Sequence, residues 1–229
     1  MNLSLAVIGV SGVGKTLFCI NFAEYLGACS LSYTEAGGGR RGRGLLSTAG
    51  ARRLMVGRGR CASGAVRTFT VHRLIKPYRR LALIDTAALQ QAEPLPRRER
   101  SRLRLTLQAL ERADFILMLL DLSCSDPAVR EFSDRAGRYL ADYCRRQGKI
   151  FFVAGNKADL LIKTPGKERF FAAGMDLPAI SALTRAGFAL LKEALLGASP
   201  AAASSSYKMV DQGHGDNSGE EGEEDIFRL

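Results

Sequence analysis

Residues 9–16 read GVSGVGKT, and residues 156–159 read NKAD. The octet fits the spacing G-x-x-x-x-G-K-[ST], a glycine-rich turn that wraps phosphate groups. Gly9, Gly12 and Gly14 let the chain turn sharply without Cβ clashes, so the backbone amides of the loop (Gly9, Val10, Ser11, Gly12, Val13, Gly14) converge on one point. A helix opening at Lys15, with Leu17 in its first turn, adds the positive end of its dipole there. Lys15 supplies a full charge to the β- and γ-phosphates, as a catalytic group as well as a binding one, and the Thr16 hydroxyl is of the type that ligates Mg²⁺. The quartet addresses the base. Asp159 offers two carboxylate oxygens to guanine N1–H and its exocyclic amine, a donor pair that adenine lacks. The Lys157 stem is suited to lie along the base, and Asn156 to tie this loop to the phosphate loop.

These loops need elements that end in the right places. LSLAVIGV (3–10) reads as a buried strand feeding the glycine loop, with a helix over 15–26. Segments 66–75 and 79–86 read as two strands joined by a turn too short for a parallel crossover, so one must run antiparallel, at the edge of the sheet. A helix over 97–113 places Leu103, Leu107 and Leu110 on one face, and 114–123 is an apolar strand. The next helix aligns Val129, Phe132, Ala136, Leu140 and Tyr143, and the strand 149–156 delivers the NKAD loop. A short strand over 177–181 and a helix over 185–197 close the pattern. Strands alternating with helices predict an α/β, three-layer fold with a mostly parallel sheet and one antiparallel edge strand. The segment 35–65, with nine glycines and seven arginines, breaks the rhythm and is expected to be a flexible insertion. From 199 to 229 a glycine-rich acidic tail is expected to be disordered, leaving 1–198 as the folded domain.

Composition bounds the function. Five cysteines without a C-x-x-C pair speak against a disulfide framework or a structural zinc site. The two histidines, His72 and His214, lie on a strand and in the tail, with no nucleophile pattern around them. No apolar run approaches the ~20 residues of a membrane helix, and no signal-type segment precedes the first strand, so a soluble, cytoplasmic protein without a transmembrane segment is expected. Residues 207–229 hold two basic and seven acidic groups, while the remaining chain holds 31 basic and 16 acidic. That asymmetry suggests RNA or another polyanion as a partner for the body.

Taken together, the octet and the quartet make the chain resemble a P-loop GTPase with a Ras-like or Era-like G domain, over about 3–196. The resemblance implies GTP or GDP as ligand, Mg²⁺ as cofactor, GTP hydrolysis as the reaction, and activating or exchange proteins as partners. It makes DTAAL (85–89) the counterpart of D-x-x-G, with Asp85 holding Mg²⁺ through a water and Ala88 at the glycine position. SALT (181–184) resembles the guanine loop, so Ser181, Ala182 and Leu183 join the nucleotide site, the amide around Ala182 facing guanine O6. Two threonines, Thr34 and Thr48, qualify as the first-switch residue that caps Mg²⁺ and assists catalysis; Thr48 is preferred. Leu89 stands where Ras-like members carry the glutamine that orients water, and Ala88 stiffens the switch, so slow hydrolysis is expected. A nucleotide-binding scaffold without turnover and an RNA- or ribosome-associated GTPase remain as alternatives.

Overall fold

In β1 (Asn2–Ile8), residues of opposite parity serve different layers: Leu3, Leu5 and Val7 enter one core, Ala6 and Ile8 the other. A strand buried on both faces belongs inside a sheet covered by helices on both sides. The computed structural model describes residues 2–37, 40–56, 65–72, 80–90, 96–161, 169–172 and 175–197. After β1 follow α1 (Lys15–Tyr25), β2 (Ser30–Gly37), β3 (Arg40–Ser47), α2 (Thr48–Met55), β4 (Val66–Val71), β5 (Arg80–Asp85), α3 (Arg97–Arg112), β6 (Phe115–Asp121), α4 (Pro127–Arg146) and β7 (Ile150–Asn156). A short hairpin, β8 (Arg169–Ala172) and β9 (Met175–Pro178), precedes the closing helix α5 (Phe188–Gly197).

Seven strands form one sheet in the order β3-β2-β4-β5-β1-β6-β7. β5, β1, β6 and β7 are parallel, β4 runs antiparallel to β5, and β2 and β3 extend the sheet as an antiparallel hairpin. The fold is α/β in three layers, mostly parallel, with an antiparallel edge. That edge is β3; of the pair β4 and β5, one of which was expected at the edge, β4 is the antiparallel one and lies two places inward. One core contains Phe18 and Phe22 of α1, Ala51 and Met55 of α2, and Phe188, Leu191 and Leu195 of α5. The other contains Ala109 and Leu110 of α3 with Ala136, Leu140 and Cys144 of α4. Phe188 meets Phe18 and Phe22 edge-on at ring-centroid distances of 5.4 and 5.3 Å, which docks α5 against α1.

Two expectations change. Within 35–65, the described residues 35–37 and 40–47 are strand and 48–55 are helix, where a flexible insertion was expected. Pairing supplies the reason. A Cβ on Gly44 would come within 2.8 Å of Cε1 of Tyr33, its cross-strand partner. The glycine makes room for a ring rather than loosening the chain. The strand expected over 177–181 is reduced to a single bridge from Ala179 to Gly155, while Leu177 and Pro178 belong to the separate β8–β9 pair. The tail 199–229 and residues 57–64 lie outside the described residues. No helix among those described is long and apolar enough to cross a membrane.

Candidate functional site

Parallel strands end on one edge of the sheet, and there the chain delivers Gly9 after β1, Asp85 at the end of β5, Asp121 at the end of β6 and Asn156 at the end of β7. The crevice outside such carboxyl ends is where open α/β sheets take ligands. In the loop after β1, Ser11 and Gly12 are exposed at the rim, Val13 is buried, and Val10 and Leu17 are half-buried against the core. Gly14 adopts φ 99°, the left-handed region, and a Cβ there would stand 2.6 Å from Asn156 Nδ2.

Lys15, 7% exposed, donates from Nζ to the carbonyls of Gly9 (2.8 Å) and Val10 (2.9 Å). Burial lowers its pKa to about 8, against the pull of Asp85. Thr16 Oγ1 donates to Asp85 Oδ2 at 2.7 Å. Asp85 is 2% exposed, and burial raises its pKa while Thr16, Lys15 and Arg67 lower it. Its Oδ1 has no hydrogen-bond partner among the described residues. A buried carboxylate oxygen without a donor beside a threonine hydroxyl is a donor set that fits a hard divalent cation such as Mg²⁺. Beyond Asp85 the chain bends back under the loop. The Thr86 hydroxyl donates to Val7 O at 2.8 Å, the Leu89 amide donates to Gly9 O at 3.1 Å, and Ala88 is half-buried between them.

Asn156 joins the two loops. Nδ2 donates to Val13 O at 2.7 Å, and Oδ1 accepts the Ala182 amide at 2.8 Å. The link from the NKAD loop to the phosphate loop is therefore the one expected, while the Ala182 amide, expected to face a ligand, is engaged by Asn156. Lys157, at φ 67°, donates to Asp121 Oδ2 at 2.6 Å. Asp159 is exposed and accepts from Ser181 Oγ at 2.5 Å, and Ser181 Oγ also accepts the Thr184 amide. Leu183 is exposed.

Thr48 is not brought to this cluster. It opens α2 behind the Ser47 cap, its hydroxyl donates to Glu24 Oε1 at 2.6 Å, and its amide donates to Cys29 O. Glu24 sits near the C-terminal end of α1, roughly 12 Å along the helix from Thr16 at ~1.5 Å per residue. A cap serine followed by a helix-forming run is a signal present in the sequence, and it outranks spacing. Thr34 lies on β2, paired with Thr68.

Other residues join the site without having been foreseen. Glu35, Arg67 and Asp85 are successive cross-strand partners on β2, β4 and β5. Arg67 Nε donates to Glu35 Oε2 at 2.9 Å, and its Nη1 lies 3.8 Å from Asp85 Oδ2. Behind the base loop, buried Asn21 donates to Ala182 O at 2.7 Å and accepts from Arg52 Nη1 at 2.8 Å. Glu24 then gathers Arg52, Thr48 and Arg185, which hold its carboxyl at about 2. Hairpin register carried the signal for Arg67. The Glu24 cluster joins three segments distant in sequence and left none.

No protein-family model matches the chain. Over 117 residues it is 34% identical to the tRNA modification GTPase MnmE of Geobacter metallireducens, a match covering 50% of this chain and 22% of that protein. Its fold aligns with Era in complex with MgGDPNP and nucleotides 1506–1542 of 16S ribosomal RNA, at TM-score 0.52 and 16% identity. A variant of Aquifex aeolicus Era bound to GDP·AlF4⁻ aligns at TM-score 0.50 and 16% identity. Each alignment covers 86% of this chain and 56% of the Era chain. The chain thus spans just over half of Era and about a fifth of MnmE. It has the G-domain fold of the P-loop GTPases.

Proposed function

We propose that this chain, a P-loop GTPase by fold and motif, binds GTP and GDP with Mg²⁺ and hydrolyses GTP slowly as a molecular switch. The observation that carries the reading is the junction at Asn156, which fastens the phosphate loop at Val13 to the base loop at Ala182. One ligand carrying both a phosphate chain and a base spans those loops. Asp159 selects guanine once its carboxylate turns from Ser181 to the base edge, and Lys15 turns from its two carbonyls to the phosphates. Thr16 and Asp85 would hold Mg²⁺, whose chemistry is to neutralise charge building on the phosphate oxygens.

Slow turnover follows from the second switch. Leu89 has no polar atom with which to orient water, and its amide is committed to Gly9 O. An activating protein would supply what the chain lacks, a contribution of roughly 10³–10⁵ in rate when an arginine is inserted. Exposed Arg97, Arg98, Arg100 and Arg104 on α3 add a cationic face suited to an anionic partner.

Single-turnover phosphate release from GTP and Mg²⁺, with bound nucleotide quantified in the same sample, tests this. One guanine nucleotide per chain with release over minutes to hours is expected, and Asp159→Asn should remove the preference for GTP over ATP. A protein that retains no guanine nucleotide would overturn the reading; tight binding without release would make the chain a scaffold.

A further inference from the structure

The row Glu35–Arg67–Asp85 runs straight across three strands, and its charges alternate in sign. Direct cross-strand partners share a face of a sheet, and here that is the face packed on α1, where Tyr33, Phe69 and Leu83 also lie. The Arg67 side chain is 11% exposed and that of Asp85 3%, so little water screens one from the other. Asp85 Oδ2 is thus shared between the Thr16 hydroxyl and the Arg67 guanidinium, while Glu35 holds the same guanidinium from the far side.

We propose that Arg67 is a built-in competitor for the cation at Asp85, and that Glu35 sets how strongly it competes. The inference rests on the nucleotide reading above and deepens it: the row determines how much free Mg²⁺ the site needs to retain a nucleotide. A guanidinium cannot lose its proton at any working pH, so a divalent ion held by Thr16 and Asp85 always meets a fixed positive charge beside it. That charge weakens the ion's hold. Glu35 offsets part of it, so its removal leaves Arg67 more exposed electrostatically and more firmly committed to Asp85. The arrangement also offsets part of the burial cost of the Asp85 carboxylate when Mg²⁺ leaves.

The two outer charges therefore act in opposite directions. A row that merely stapled the β2–β4–β5 strands together would behave otherwise, since cutting it at either residue would loosen the same sheet and shift binding the same way. Arg67→Met keeps an unbranched apolar stem without the charge, Glu35→Gln keeps shape and a hydrogen-bond acceptor, and Arg67→Lys keeps the charge.

The test uses the full chain loaded with a fluorescent GDP analogue, its dissociation rate followed across buffered free Mg²⁺. Relative to wild type, the Mg²⁺ midpoint should fall about tenfold in Arg67→Met, rise severalfold in Glu35→Gln, and stay within about threefold in Arg67→Lys. Midpoints moving together, or an unchanged midpoint in Arg67→Met with unfolding temperature preserved, would overturn the proposal. If wild type retains no guanine nucleotide, the functional reading falls separately, and Mn²⁺ titration of the protein followed by electron paramagnetic resonance decides. Tighter Mn²⁺ binding by Arg67→Met than by wild type supports the row's role, and equal binding refutes it.

Discussion

Asn156 and Asp85 are both buried polar side chains at the carboxyl ends of strands running in the same direction, yet the protein completes one and not the other. Asn156, 1% exposed, spends its amide nitrogen on Val13 O and its oxygen on the Ala182 amide. Asp85, 2% exposed, has a donor for Oδ2 in Thr16 and, among the described residues, none for Oδ1. The contrast separates scaffold from chemistry. A buried neutral amide with both of its polar atoms bonded locks two loops in register. A buried carboxylate with an orphan oxygen adds little to the fold, and its use lies in what it can attract.

Asn156→Ala should produce the largest effect. It strands a carbonyl at Val13 and an amide at Ala182, which costs about 2–4 kcal/mol of folding stability and separates the loops that must grip one ligand. Chemical denaturation and guanine-nucleotide titration of the same variant check both losses. Asp85→Asn sharpens the comparison from the other side. Because burial raises the Asp85 pKa, its charged form is disfavoured in the folded state, and stability drains away as pH rises from the unfolded value of ~3.9 through the higher folded one. The amide should therefore leave stability at pH 7 within about 1 kcal/mol of wild type or above it, while abolishing the Mg²⁺ dependence of nucleotide retention. A Asp85→Asn protein as unstable as Asn156→Ala would break the distinction.

The base loop bears on the comparison at one remove, because Ala182 is also held from behind by Asn21, which Arg52 and Glu24 support. Glu24 is depressed from 4.5 to about 2, chiefly by its bond from Arg52. A lowered carboxyl pKa contributes stability above the unfolded value and loses it as pH falls through the folded one. Glu24→Gln should cost on the order of 1 kcal/mol at pH 7, discounted for a partly exposed side chain. The gap from wild type should close between pH 4.5 and 2, as read by denaturation at a series of pH values.

Much of this was legible in the residues. The phosphate loop, the NKAD loop and the strands that deliver them have signatures within a dozen residues, because backbone turns and β-to-helix transitions are local. Hairpin β2–β3 was hidden because glycine and arginine weigh against strand. What makes Gly44 a strand residue is the Tyr33 ring lying across it, and that ring belongs to another segment. Thr48, preferred for its spacing before Val66, stands instead behind the local cap at Ser47 and bonds Glu24, which spacing alone does not reveal. Arg67 reads in sequence as one arginine among many, and only the register beside Asp85 makes it part of the site.

Lys15 already has two oxygens to hold, at Gly9 and Val10. On the function proposed above, nucleotide binding would be an exchange reaction, in which the ammonium leaves one set of acceptors for another. Gly9 O would still accept from the Leu89 amide after such an exchange, while Val10 O would have to find another donor. Affinity at this site would then record the difference between two satisfied arrangements, since an anion must offer the lysine more than two peptide carbonyls do before it is held at all.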